Sequence, residues 1–128
     1  AVVPVMKTKG SGKIINISSI AGVGGFSNSG AYCSSKGGQV LMAKALCLEL
    51  AQYGINVNVI SPGNIKTDMN APLREDPDYD LHQKSLTPAQ VGHLDPNDIT
   101  GAALFLASSD SDMVHGANLL VDGGWAAW

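Results

Sequence analysis

GKIINISS (12–19) sets isoleucines on both sides of Asn16, the pattern of a buried strand. The next stretch, IAGVGGFSNSG (20–30), has no apolar period and is rich in glycine. It predicts a loop whose backbone can approach something closely. From Ala31 to Tyr53 the apolar residues Val40, Leu41, Ala43, Leu46, Cys47, Leu50 and Ala51 recur at helical spacing. Tyr53-Gly54-Ile55 ends that helix, with Gly54 in the left-handed position and Ile55 folding back on the last turn. INVNVI (55–60) alternates and predicts a second strand, and SPGNIKTDM (61–69) opens with a helix-breaking Pro-Gly turn. Residues 70–95, with prolines, scattered acids and weak periodicity, predict a mobile segment holding one or two short helices. Asp95-Pro96 starts another helix, Asp95 as cap and Pro96 at its first position, which runs through ALFLA to about Ser108. ANLLVDGG (117–124) is a last short strand closed by Asp-Gly-Gly.

Strand, helix, strand, helix, strand with long connections is the order of an α/β fold whose parallel sheet is linked by crossover helices. The length, 128 residues, suits one domain, and 45% hydrophobic with 15% charged residues suits a globular one. A net charge of -3 and a pI near 5.4 speak against a nucleic-acid partner. No apolar run reaches the length of a membrane span, and AVVPVMKTKG lacks the regions of a signal peptide. Cys33 and Cys47, fourteen residues apart on one helix, stand about 21 Å apart along its axis. They are read as buried free thiols in a reducing cytoplasm.

The stretch AYCSSK (31–36) raises a chemical question, because Tyr32 and Lys36 at i and i+4 share one helix face. An ammonium beside a phenol favours its ionised form, and such a phenol can exchange a proton with a carbonyl or alcohol oxygen. Ser19, thirteen residues before Tyr32 at the end of the first strand, falls on the same rim of a parallel sheet, where ligands of such folds bind. It is placed to hold a substrate oxygen. A lone Tyr-x-x-x-Lys spacing is unspecific. Here it stands in order with Ser18-Ser19-Ile20-Ala21-Gly22 before it, and with Ser61-Pro62-Gly63-Asn64-Ile65-Lys66-Thr67 and Val121-Asp122-Gly123-Gly124 after it.

Together these motifs resemble the short-chain dehydrogenase/reductase family over essentially the whole chain. The resemblance implies a Rossmann-like doubly wound parallel sheet, of which residues 1–128 form the C-terminal catalytic half with about three strands. It implies hydride transfer between NAD or NADP and a carbonyl or secondary alcohol. Ser19 would orient the substrate carbonyl, Tyr32 act as acid/base, and Lys36 assist Tyr32 and bind the nicotinamide ribose. Pro62, Gly63, Ile65 and Thr67 would contact the nicotinamide carboxamide. It also implies a homodimer or homotetramer with a small-molecule substrate, and no membrane partner.

Family members are about twice as long. Their glycine-rich pyrophosphate turn, the residue choosing NAD or NADP, and a fourth catalytic residue, an asparagine, would all lie upstream of Ala1. The chain is therefore expected to be part of a longer polypeptide. The alternative is a truncated, catalytically inactive fragment of the fold serving as an oligomerisation or binding module. Met69, Leu73 and Leu86 are the candidate apolar lining of a lid over residues 68–95, with Ile20 and Phe26 on the opposite wall. Thr67 also suits the cap of a helix starting at Asp68. His82, His93 and His115 share no metal spacing and are expected at the surface or in loops, and the acids of REDPDYD (74–80) on a solvated face. Trp125 and Trp128 are expected as surface anchors of an oligomer interface or, alternatively, as part of a flexible exposed tail. The WAAW ending and the polar loop favour a sugar, polyol or small hydroxy acid over a steroid.

Overall fold

The computed structural model describes all of residues 1–128. Helix α1 (Val2–Lys9) leads to strand β1 (Gly12–Ile17), the long helix α2 (Gly30–Leu50) and strand β2 (Ile55–Pro62). Two short helices follow, α3 (Ala71–Arg74) and α4 (Pro77–Leu86), then α5 (Thr100–Ala107) and strand β3 (Asn118–Val121). The strands form one parallel sheet in the order β1-β2-β3. Gly12 pairs with Ile55 at the start of the β1–β2 ladder, and Val59 with Asn118 at the start of the β2–β3 ladder. This is an α/β arrangement, a three-stranded parallel sheet whose strands are linked by crossover helices. No helix is long and apolar enough to cross a membrane.

All eight residues of β2 are buried, so it is the spine of the molecule. Its alternation sorts two covered faces rather than a wet one and a dry one. Ile55, Val57 and Val59 join Ala43 and Leu50 of α2 in the core cluster, against which Val3 and Met6 of α1 also pack. On the other face Asn56 Nδ2 donates to the carbonyls of Asp112 and Val114, both at 2.9 Å. Asn58 Nδ2 donates to the Val114 carbonyl at 2.8 Å, and its Oδ1 accepts the Ala117 N–H at 2.9 Å. Buried amides are tolerable only when satisfied in this way.

Local signals explain the element ends. Gly54 takes φ +70°, and a Cβ there would strike the Gly10 carbonyl oxygen, so a side chain is excluded twice over. The helical stretch predicted to Tyr53 is α-helical to Leu50 and closes with a tighter 3₁₀ turn, Ala51–Tyr53. Asp95 does cap, accepting the Asn97 N–H at 2.9 Å, but the first turn, Pro96–Ile99, is again 3₁₀. The Pro-Gly turn is displaced. Pro62 is the last residue of β2, paired with Val121, and the Gly63 N–H extends the ladder to the Val121 carbonyl at 2.9 Å. A proline at a strand's end forfeits little, because one missing donor does not break the ladder behind it.

Candidate active site

Parallel strands end on one rim, and crossover helices begin there. Ser18 and Ser19 follow β1, Gly63 to Thr67 follow β2, Asp122 to Gly124 follow β3, and Tyr32 and Lys36 occupy the first turns of α2. The seam between β1 and α2 is tight. The Ser18 N–H bonds the Ile60 carbonyl at 2.8 Å, and its Oγ donates to the Lys36 carbonyl at 2.8 Å. A Cβ on Gly22 would lie 2.6 Å from Ser18 Oγ and 2.9 Å from the Lys36 carbonyl oxygen, so this approach requires glycine.

Lys36 links the end of β1 to the neighbourhood of Tyr32. Its Nζ donates to the Ile17 carbonyl at 3.1 Å, the last residue of β1, and lies 5.8 Å from the centroid of the Tyr32 ring. One of the three ammonium protons is engaged there, leaving two for a ligand. The Tyr32 ring is half exposed, open to a reactant. Ser19 Oγ accepts the Ala21 N–H at 3.1 Å, which leaves its own proton free to donate.

The loop after β2 is stiffened from within. Thr67 caps the 3₁₀ turn Asp68–Asn70, and its N–H bonds Asn70 Oδ1 at 3.0 Å. Asn70 Nδ2 donates back to Asn64 Oδ1 at 3.0 Å and to the Ile65 carbonyl at 2.8 Å. A Cβ on Gly63 would sit 2.9 Å from Asp122 Cα, so this glycine lets the loops after β2 and β3 touch. Ile65 bridges to Leu94, while no acceptor of the chain takes its N–H. A free backbone donor at Ile65 and two spare ammonium protons on Lys36 fit the carboxamide and ribose of a nicotinamide nucleotide.

The apolar candidates scatter. Ile20 is buried beneath the rim, Phe26 stacks on Trp125, Met69 is 92% exposed and Leu73 half exposed. Leu86 lies half-buried beside Trp125 and Trp128 in an apolar cleft of about 330 Å³. Trp125 is thus an intramolecular contact as well as a terminal aromatic, whereas Trp128 stands 88% exposed. His93 and His115 lie in loops, the first with a buried side chain and the second half-buried. The His93 side chain is 3% exposed, with Nδ1 3.2 Å from Asp80 Oδ1 and its ring against Tyr79, and His115 Nε2 lies 3.1 Å from Asn56 Nδ2. The acidic face is not all idle. Asp76 caps α4 through the Asp78 N–H, and Asp80 pairs with Lys84 at 2.8 Å. Both cysteines are half-buried rather than buried.

Sequence reasoning missed Ser18, Gly22, Asn70 and Asp122, which touch one another or the site residues through backbone groups. The Ser18-Ser19 doublet carried a signal, since successive residues leaving a strand face opposite sides and only one can enter the seam.

A family model described as enoyl-(acyl carrier protein) reductase, adh_short_C2, matches residues 1–126. The chain belongs to the short-chain dehydrogenase/reductase family. It is 37% identical over 127 residues to 2,5-dichloro-2,5-cyclohexadiene-1,4-diol dehydrogenase of Sphingobium indicum, covering 98% of this chain and 49% of that protein. It is 40% identical over 124 residues to 5-keto-D-gluconate 5-reductase of Escherichia coli, covering 97% of this chain and 48% of the relative. A gluconate 5-dehydrogenase of Burkholderia cenocepacia, solved with NADP and tartrate, superposes with a TM-score of 0.95 at 35% identity, over 99% of this chain and 49% of that one. The chain spans about half the length of the curated relatives it matches.

Proposed function

We propose that these residues form the catalytic half of an NAD- or NADP-dependent oxidoreductase that interconverts a carbonyl and a secondary alcohol. The observation that carries the reading is the position of Lys36 Nζ, bonded to the end of β1 and 5.8 Å from the Tyr32 ring centroid, on the rim that Ser19 shares. The bound nucleotide supplies or accepts the hydride. Tyr32 gives its phenolic proton to the carbonyl oxygen in reduction and takes it back in oxidation. Lys36, beside the Tyr32 ring, binds ribose hydroxyls with its spare protons. The Ser19 hydroxyl donates to the same substrate oxygen and fixes its angle. Pro62, Gly63, Ile65 and Thr67 hold the carboxamide edge of the nicotinamide, with the Ile65 N–H as donor.

A sugar acid, polyol or small hydroxy acid is the substrate class, in keeping with the gluconate chemistry of relatives. Leu41 and Leu48 on α2 and Leu104 on α5, all exposed, supply faces for a homodimer or homotetramer. The same faces favour the second reading, an assembly module without hydride chemistry. In the native polypeptide that contains these residues, Tyr32→Phe should lower kcat by about 10³-fold or more while cofactor affinity holds. Full activity of that variant sinks the acid/base assignment.

A further inference from the structure

Ser19 and Tyr32 are joined by a loop that, beyond the Ile20–Gly22 turn with its buried Ile20 and Ala21, has little hydrogen-bonded hold on the rest of the molecule. Between Val23 and Ser29 its hydrogen bonds are local: Val23 and Gly24 N–H to the Ile20 carbonyl at 3.0 and 2.8 Å, and Ser29 N–H to the Phe26 carbonyl at 3.2 Å. Asn28 stands at φ 59°, so the loop also contains a left-handed residue that favours no regular element. Its outward contact is aromatic. The Phe26 ring stacks on Trp125 with centroids 5.0 Å apart and planes 11° from parallel, and a Cβ on Gly24 would already lie 3.3 Å from the same indole.

Trp125, by contrast, is firmly mounted. Asp122, 7% exposed, accepts the Gly124 and Ala126 N–H groups on its two carboxylate oxygens, each at 2.9 Å. Gly123 and Gly124 take φ +65° and +87°, and Gly124 lies against Pro88 so closely that a Cβ would be 3.1 Å from its Cγ. The Gly123 carbonyl accepts the Ala89 N–H at 3.0 Å, and Trp128 Nε1 donates to the Leu86 carbonyl at 3.4 Å. The turn after β3 is thereby fastened to the sheet and to the end of α4.

We propose that Trp125 is a positioning residue: mounted by the Asp122 carboxylate, its indole backs Phe26 and Gly24 and steadies the outer part of the loop that runs from Ser19 to Tyr32 beside the site. The proposal rests on the oxidoreductase reading for its catalytic consequence, but its structural part stands apart from it. A stack of this kind is worth more than its buried area because the ring faces have a preferred geometry. Its loss frees a segment whose remaining hydrogen bonds run only to its own chain neighbours, Ile20 before it and Cys33 after it, and a small misplacement of reacting groups is costly in rate.

Amide hydrogen exchange on the native polypeptide tests it. Trp125→Ala should speed exchange at Val23, Gly24 and Ser29 about tenfold or more and leave β2 protection unchanged. Trp125→Phe keeps a stacking ring and should restore wild-type rates, and the half-exposed Phe26→Leu should repeat the Trp125→Ala effect even if Trp125→Ala folds poorly. In steady-state kinetics with a hydroxy-acid substrate, Trp125→Ala should lower kcat about tenfold with the cofactor Kd unmoved, again recovered by Trp125→Phe. Unchanged exchange in the loop, or equal loosening by Ala and Phe at 125, overturns the proposal. Loosening as expected in a protein without turnover keeps the loop role and discards the oxidoreductase reading; turnover that depends on Tyr32 with an unmoved loop does the reverse.

Discussion

Ser18 and Ser19 leave the end of β1 with different partners. Ser18 is buried, and its hydroxyl is spent on the Lys36 carbonyl; Ser19 accepts from Ala21 and keeps its proton. Removing a buried donor of this kind costs about 0.5–1.5 kcal/mol. Ser18→Ala should therefore lower the unfolding free energy by that amount, read as a lower urea midpoint with the slope unchanged. Ser19→Ala should instead cost about 10²-fold or more in kcat/KM, the scale of losing one preorganised donor to a reacting oxygen. If Ser18→Ala showed the larger kinetic loss and Ser19→Ala only the stability loss, the two roles would be exchanged. Residue type alone could not separate these serines. The strand's period could have, because it sends neighbours to opposite sides, but only once the strand's last residue is known.

Among the elements, those with a strong period were legible and those made by tertiary contact were not. α2, β1, β2 and β3 follow from apolar spacing and from Gly54 and Pro96, and the Tyr32–Lys36 face follows from helix geometry. The 3₁₀ turns that end at Tyr53 and begin at Pro96 were invisible, since α and 3₁₀ turns share their propensities. α4 was hardest to read. Its isolated sequence is polar, and what fixes it is a cluster that reaches beyond the helix: Asp80 pairs with Lys84 one turn on at 2.8 Å and with the distant His93 at 3.2 Å, over a Gly92 whose Cβ would collide with the Asp80 carboxylate. The hydrogen bond from Lys84, aided by its charge and by His93, holds the Asp80 carboxyl below its ordinary 3.8 against an opposing effect of burial. A carboxyl lowered in the folded state binds its proton more weakly there than in the unfolded chain. Its stabilising contribution is therefore complete above about pH 4 and fades as the pH falls through the lowered value. The gap in urea midpoint between wild type and Asp80→Asn should be flat from neutrality to mildly acid pH and close below about 3.8. A gap that instead widens on acidification contradicts the direction of the shift.

At the scale of the whole molecule, 19 of 128 residues are buried, and β1 has β2 on one side and no strand on the other. An open six-residue edge offers unpaired backbone groups to any other chain, which is a route to open-ended association. The outer faces of α2 and α5, with Leu48 at 84% and Leu104 at 71% exposure, offer a different route. A helix face related by a two-fold axis closes on itself and stops at a fixed size. Light scattering separates the two. The 128-residue chain alone should show a mass that climbs with concentration past multiples of 13.2 kDa without a plateau. Ile17→Lys, at the half-exposed end of β1, places a charge on the edge and should convert this into one discrete dimer or tetramer. Adding Leu48→Lys should then carry the assembly down to monomer. A wild-type chain that stays at 13.2 kDa over the whole range and unfolds in one sharp transition would show that three strands and their helices are self-sufficient, and that neither the edge nor the helix faces drive assembly.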